Sequence, residues 1–89
     1  MNNDFDSLRK TLEDLSFPNV YMFKFIVKSD LKKIAQIESL FQSEKAEITR
    51  KESSKGAFIS ISIKEVMLSA DEIISVYEKA SSIDGVITL

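Results

Sequence analysis

Two stretches restrict this chain more than any other feature. In 20-VYMFKFIVK-28, Tyr21, Phe23, Phe25 and Val27 fall on one side of an extended strand, and Val20, Met22, Lys24, Ile26 and Lys28 on the other. In 57-AFISISIK-64, Ile59, Ile61 and Ile63 share one side, and Phe58, Ser60, Ser62 and Lys64 the other. Side chains alternate across a strand with a period of two, so each stretch has one apolar and one mixed face. Two such strands require a sheet with one face packed on a core and one facing outward. The branched and aromatic residues also suit strands by intrinsic preference.

The segments between them have helical spacing. Residues 30–43 carry Leu31, Ile34, Ile37, Leu40 and Phe41 as an apolar stripe, with Lys32, Lys33, Glu38 and Gln42 facing water and Asp30 or Ser29 placed to cap the N-terminus. Residues 69–82 carry Ile73, Val76, Tyr77 and Ala80 on one face, and Ser69 with Glu72 forms a capping box. Residues 46–53 form a further strand with Ile48 inward, joined through Ser54, Lys55 and Gly56 to the strand at 57–64. Asp84-Gly85 makes a turn into a last strand at 86–89. The order β-α-β-β-α-β predicts a ferredoxin-like α+β sandwich, with a four-stranded antiparallel sheet and two helices on one face.

Upstream, residues 4–15 read as a short helix with Phe5, Leu8, Leu12 and Leu15 at helical spacing, ended before Pro18. The division expected is an N-terminal helical arm at residues 1–16 and a ferredoxin-like domain at 17–89. One narrow stripe is little to hold such an arm, so it is expected to be mobile or lightly docked. Folded over the open sheet face, it would bury Phe5, Leu8 and Leu12; otherwise that face stays uncovered.

Composition removes whole classes of chemistry. The 89 residues include no cysteine and no histidine, and two glycines, Gly56 and Gly85. There is no thiol nucleophile, no thiolate or imidazole metal ligand and no glycine-rich phosphate loop. The expectation is a non-enzymatic protein with no cofactor or metal. An acidic, polar beginning argues against a secretory signal, no run is long enough to span a membrane, and the lack of cysteine fits a cytoplasmic location. The net charge of −2 and a pI near 5.1 argue against broad nucleic-acid affinity. Charge is nonetheless uneven, basic around residues 45–55 and acidic towards the end.

Two candidate sites follow. Met22, Lys24, Ile26, Phe58, Ser60 and Ser62 share the outward sheet face, a half-apolar surface of the kind that marks an interface. Arg50, Lys51 and Lys55 cluster at the hairpin, where they can contact an anion or an acidic partner, or keep a sheet edge charged against strand addition. Lys55-Gly56 followed by alternating residues also invites comparison with the aromatic RNA-binding strand of RNA-recognition domains. Here Ala57, Ile59 and Ile61 occupy the alternate positions and Phe58 is one residue out of register, so a core strand explains the motif better. Asp71 and Glu72 fit capping of the last helix rather than catalysis. The partner expected is a protein, with a homodimer or a small-molecule effector as alternatives.

Taken in order, 17-FPNVYMFKFI-26, 53-SSKGAFISISI-63 and 83-IDGVITL-89 resemble the YbeD-like family of small bacterial proteins of unknown function. The shared marks are Phe-Pro before the first strand, the lysine within it and a Ser-x-x-Gly-x-aromatic-x-Ser hairpin, over roughly residues 16–89. The resemblance implies a ferredoxin-like fold similar to ACT domains, the amino-acid-sensing modules of metabolic enzymes. It thereby implies a regulatory role, exercised on a small effector or another protein. ACT modules usually bind ligand at a glycine-containing turn between first strand and first helix; the corresponding 27-VKSDL-31 has no glycine.

Overall fold

The structure, a computed structural model, describes residues 5–41 and 44–89. Its elements are α1 (Asp6–Glu13), β1 (Asn19–Lys28), α2 (Leu31–Glu38), β2 (Glu47–Glu52), β3 (Phe58–Met67), α3 (Ala70–Ser81) and β4 (Ile87–Thr88). The strands form one antiparallel sheet in the order β2-β3-β1-β4. The class is α+β, with the helices gathered on one face of a four-stranded sheet.

Alternation sets that face as expected. Phe23, Phe25 and Val27 of β1 and Ile59, Ile61, Ile63 and Met67 of β3 are buried, in register as Phe23 opposite Ile63, Phe25 opposite Ile61 and Val27 opposite Ile59. Ile34 and Ile37 of α2 and Ile73, Ile74, Val76, Tyr77 and Ala80 of α3 close over them in a single core. Phe23 lies at its centre, within 5.1 Å of the Phe41 ring and 5.3 Å of the Tyr77 ring. Each fully buried side chain of this size contributes about 1.5–3 kcal/mol relative to exposure.

The helix starts follow local chemistry. The Asp30 carboxylate accepts from the Lys32 N–H at 2.9 Å, satisfying one of the donors a helix N-terminus leaves free. At α3 the Ser69 hydroxyl accepts from the Glu72 N–H at 3.1 Å, while the Glu72 carboxylate reaches back to the Leu68 N–H at 3.0 Å. The return bond thus falls one residue earlier than in the usual capping box.

Three expectations need correction. The second helix ends at Glu38, not at residue 43; Leu40 and Phe41 follow in tightened turns, with Leu40 N–H on Ile37 O and Phe41 N–H on Glu38 O. Phe41 still reaches the core, but Leu31 does not: it is 85% exposed. Leu31 opens the helix, and a helical side chain leans towards the N-terminus, here off the end of the packed stripe. The arm is neither loose nor laid over the open face. Leu12 is 2% exposed within the core, the Phe5 ring stacks 6.4 Å from that of Tyr77, and Arg9 pairs with Asp71 of α3. Its stripe extends the core beside α3, where Tyr77 and Tyr21 offer aromatic surface without the lysines of the outer face. Asp4, at the start of the expected first helix, and Gln42 and Ser43, at the end of the second, lie outside the described residues.

Candidate functional site

With α1, α2 and α3 on one side, the outer face of the sheet carries no covering element among the described residues. The strand register fixes its composition row by row. Val20 stands opposite Val66. Met22, Lys64 and Glu47 form the next row, and Lys24, Ser62 and Thr49 the one after. Then come Ile87, Ile26, Ser60 and Lys51, and finally Lys28 opposite Phe58. All six residues expected on this surface are therefore brought together. Met22 is 45% and Phe58 43% exposed, and Val20, Val66, Ile87 and Leu89 add further exposed apolar surface. Those four lie outside the expected set; Val66 was missed because β3 runs three residues past the expected end of its strand.

The face has two shallow hollows. One, of about 300 Å³, is lined by Met22, Lys24, Glu47, Thr49, Ser62 and Lys64. The other, of about 390 Å³, is lined by Ile26, Lys51, Glu52, Ser53, Phe58 and Ser60. The first is the more polar, with two ammonium groups, the Glu47 carboxylate and two hydroxyls beside Met22; the second has an apolar floor but is also lined by Lys51 and the Glu52 carboxylate.

The hairpin cluster, by contrast, is divided. Arg50 stands opposite Ile61, on the helix side of the sheet, and Lys51 opposite Ser60, on the outer side. The Arg50 guanidinium makes a two-pronged pair with Glu38, Nε to Oε2 at 2.6 Å and Nη2 to Oε1 at 2.7 Å. This hydrogen bonding and the carboxylate charge raise the Arg50 pKa above its ordinary value. Lys55 sits in the β2–β3 turn, where Gly56 takes a φ of +71° and its N–H bonds to Ser53 O. The three cations do not converge on one anion. The signal was present in the sequence: a residue two places from the inward Ile48 must share its side.

Charge on the outer face opposes that of the molecule. Lys24, Lys28, Lys51 and Lys64 against Glu47 and Glu52 give this face +2, while the whole chain carries −2, leaving −4 for the remainder. Lys24, Lys51 and Lys64 are exposed and form no ion pair with a described residue. On the helix side, Tyr21 and Tyr77 share a hydrogen bond between hydroxyls at 3.0 Å. Burial first, and then that bond, push the Tyr77 phenol well above its ordinary pKa.

Among the described residues, no group of three or more acidic, histidine or cysteine side chains is placed to hold a metal, and no helix is long and apolar enough to cross a membrane. Comparison with known families gives a match over residues 13–89 to one described as protein of unknown function DUF493. The chain belongs to that family. The match spans all of the sheet, α2 and α3, and begins at the last residue of α1. No curated protein and no solved structure matches the chain.

Proposed function

We propose that this DUF493 chain is a non-catalytic protein-interaction module that binds its partner with the outer face of the sheet. The observation carrying this is that the face lacks a covering element among the described residues while exposing Met22, Phe58, Val20, Val66, Ile87 and Leu89 between lysines. Exposed apolar side chains interspersed with polar ones, on a face that no element covers, are a common mark of a partner site on a small protein. Among the described residues Phe58 is the single aromatic on this face, because Tyr21, Phe23 and Phe25 point to the helices. A platform for stacking bases needs more than one, which favours a protein over RNA.

The β-α-β-β-α-β order and the strand order β2-β3-β1-β4 support a ferredoxin-like assignment, and with it the YbeD-like, ACT-related and bacterial affinities that the sequence motifs imply. That relationship suggests a second role, sensing a small effector at the turn after β1. The local bonding there weighs against it. Ser29 N–H is tied to Ala57 O, Asp30 N–H to Lys28 O, and the Asp30 carboxylate to Lys32. Three of the groups a bound metabolite could use there are thus already engaged. A cytoplasmic location is part of the proposal and rests on the absence of cysteine.

The test is crosslinking in native cells followed by mass spectrometry, for the parent chain and for Phe58→Asp and Met22→Asp. Both variants place charge on a half-exposed strand site and should cost no more than about 1–2 kcal/mol, leaving the chain folded, as a melt of each would show. A stoichiometric partner, crosslinked through Lys24, Lys51 or Lys64 and lost in both variants, is the expected result. Recovery of the chain alone, together with a metabolite that raises its melting temperature in a saturable way, would move the assignment to effector sensing.

A further inference from the structure

Resting on that interaction role, we infer that the partner is an acidic protein segment. It sets a carboxylate against Lys24 and Lys64 and a bulky apolar side chain against Phe58 and Ile26. Charge makes the first half of the inference. The outer face carries +2 on a chain of −2, with Glu52 counted at the second hollow, and its lysines have no ionic partner of their own on the described surface. Lys24 and Lys64 stand on adjacent strands at diagonal positions, since Lys24 faces Ser62 and Lys64 faces Met22. Diagonal neighbours on a sheet face lie roughly 7–8 Å apart, so one carboxylate can be reached by both ammonium groups. The Thr49 and Ser62 hydroxyls in the same hollow supply further donors. Glu47 also lines it and lies directly opposite Lys64, so Lys24 is the cation with no acidic neighbour in its own row.

The second half comes from the spacing of the hollows. On β3 the polar one is built from Lys64 and Ser62, and the apolar one from Ser60 and Phe58. Their centres are four residues apart along the strand, about 13 Å at the rise of an extended chain. A partner segment lying along the strands meets both with an acidic residue and a bulky apolar residue four positions apart. A second copy of this chain offers the wrong charge through the same face: two faces of +2 would repel, as like charges in an interface do. Its acidic helix side would fit only head to tail, an arrangement that builds rings or open filaments rather than a twofold dimer.

Random peptides displayed on phage and selected against the purified full chain test this. The enriched peptides should carry Asp or Glu four positions from Leu, Ile, Phe or Met. A synthetic peptide of the enriched sequence should shift the amide signals of Lys24, Ser62, Ser60 and Phe58 in NMR titration. Affinity should fall several-fold between about 50 and 200 mM salt and by roughly tenfold in the double variant Lys24→Glu/Lys64→Glu, the loss expected when two exposed ion pairs become repulsions. The Lys32→Glu/Lys33→Glu variant, changed on α2, should bind as the parent does. Peptides that shift the same signals but are neutral or basic, and indifferent to Lys24→Glu/Lys64→Glu, would overturn the acidic partner and leave the interaction face standing. Peptides that map to the helix side, or no enrichment at all, would overturn both. A doubled mass in light scattering that Lys24→Glu/Lys64→Glu returns to the monomer would replace the acidic segment by a second copy.

Discussion

The docking of α1 can be tested with two leucine substitutions of identical chemistry. Leu12 is 2% exposed and belongs to the core, whereas Leu31 is 85% exposed at the start of α2. Replacing a buried leucine by alanine removes the transfer free energy of its methyl groups and leaves a cavity, together about 2–5 kcal/mol. Leu12 lies where α1 meets α3, at the margin of the core, and the short helix has room to settle into the gap. The lower part of the range applies, about 2–3 kcal/mol. A domain of this size has a total stability of roughly 4–13 kcal/mol, and each kcal/mol moves its melting temperature by about 4–8 °C. Leu12→Ala should therefore melt roughly 10–20 °C below the parent, and Leu31→Ala within about 2 °C of it. Circular dichroism melts, supported by urea unfolding with an unchanged slope, measure both. Equal, small effects of the two substitutions would refute the docking: α1 would then be detached in solution and Leu12 already exposed.

Two further outcomes follow from local geometry. Gly56 takes a φ of +71°, and an added Cβ would sit 3.4 Å from the Glu52 carboxylate, so Gly56→Ala should lose about 1 kcal/mol, mostly as backbone strain; a gain in urea midpoint would contradict this. The Tyr77 phenol has its pKa raised in the folded state, so folding holds its proton more tightly than the unfolded chain does. Its contribution is complete below about pH 10 and drains away as pH rises towards the folded value. Tyr77→Phe should flatten the alkaline decline in melting temperature, and an unchanged decline would place its origin elsewhere.

The parts of this molecule that were legible in its sequence are those set by strand period. Phe23, Phe25, Val27, Ile59, Ile61 and Ile63 are inward because alternation leaves a strand no other choice once one face is buried. The outer surface followed from the same parity, which is why Met22, Lys24, Ile26, Phe58, Ser60 and Ser62 were found together. Helical stripes were less informative at their ends. Leu31 fits the spacing and Ile74, also in the core, was not distinguished from its neighbours. Spacing gives the side of a helix that packs, not how far along it the partner surface extends. The place of α1 was not legible at all. Its stripe suits either side of the sheet, and the choice depends on Tyr77 and Tyr21 presenting their rings beside α3, a tertiary fact. Arg50 was misplaced for a different reason: nearness in sequence to Lys51 suggested a shared cluster, although adjacent strand residues point in opposite directions.

The opposed charges of the two sides give the molecule an electrical heading. A pI near 5.1 suggests a protein that anionic surfaces repel. At distances where only the average is felt, that is so; within about a Debye length, roughly 8–10 Å, the nearer side dominates. Approaching an acidic surface, the chain should turn its sheet towards it before contact and leave its helices trailing. It would arrive already oriented, and a cation-exchange resin at low salt would retain it despite its net negative charge.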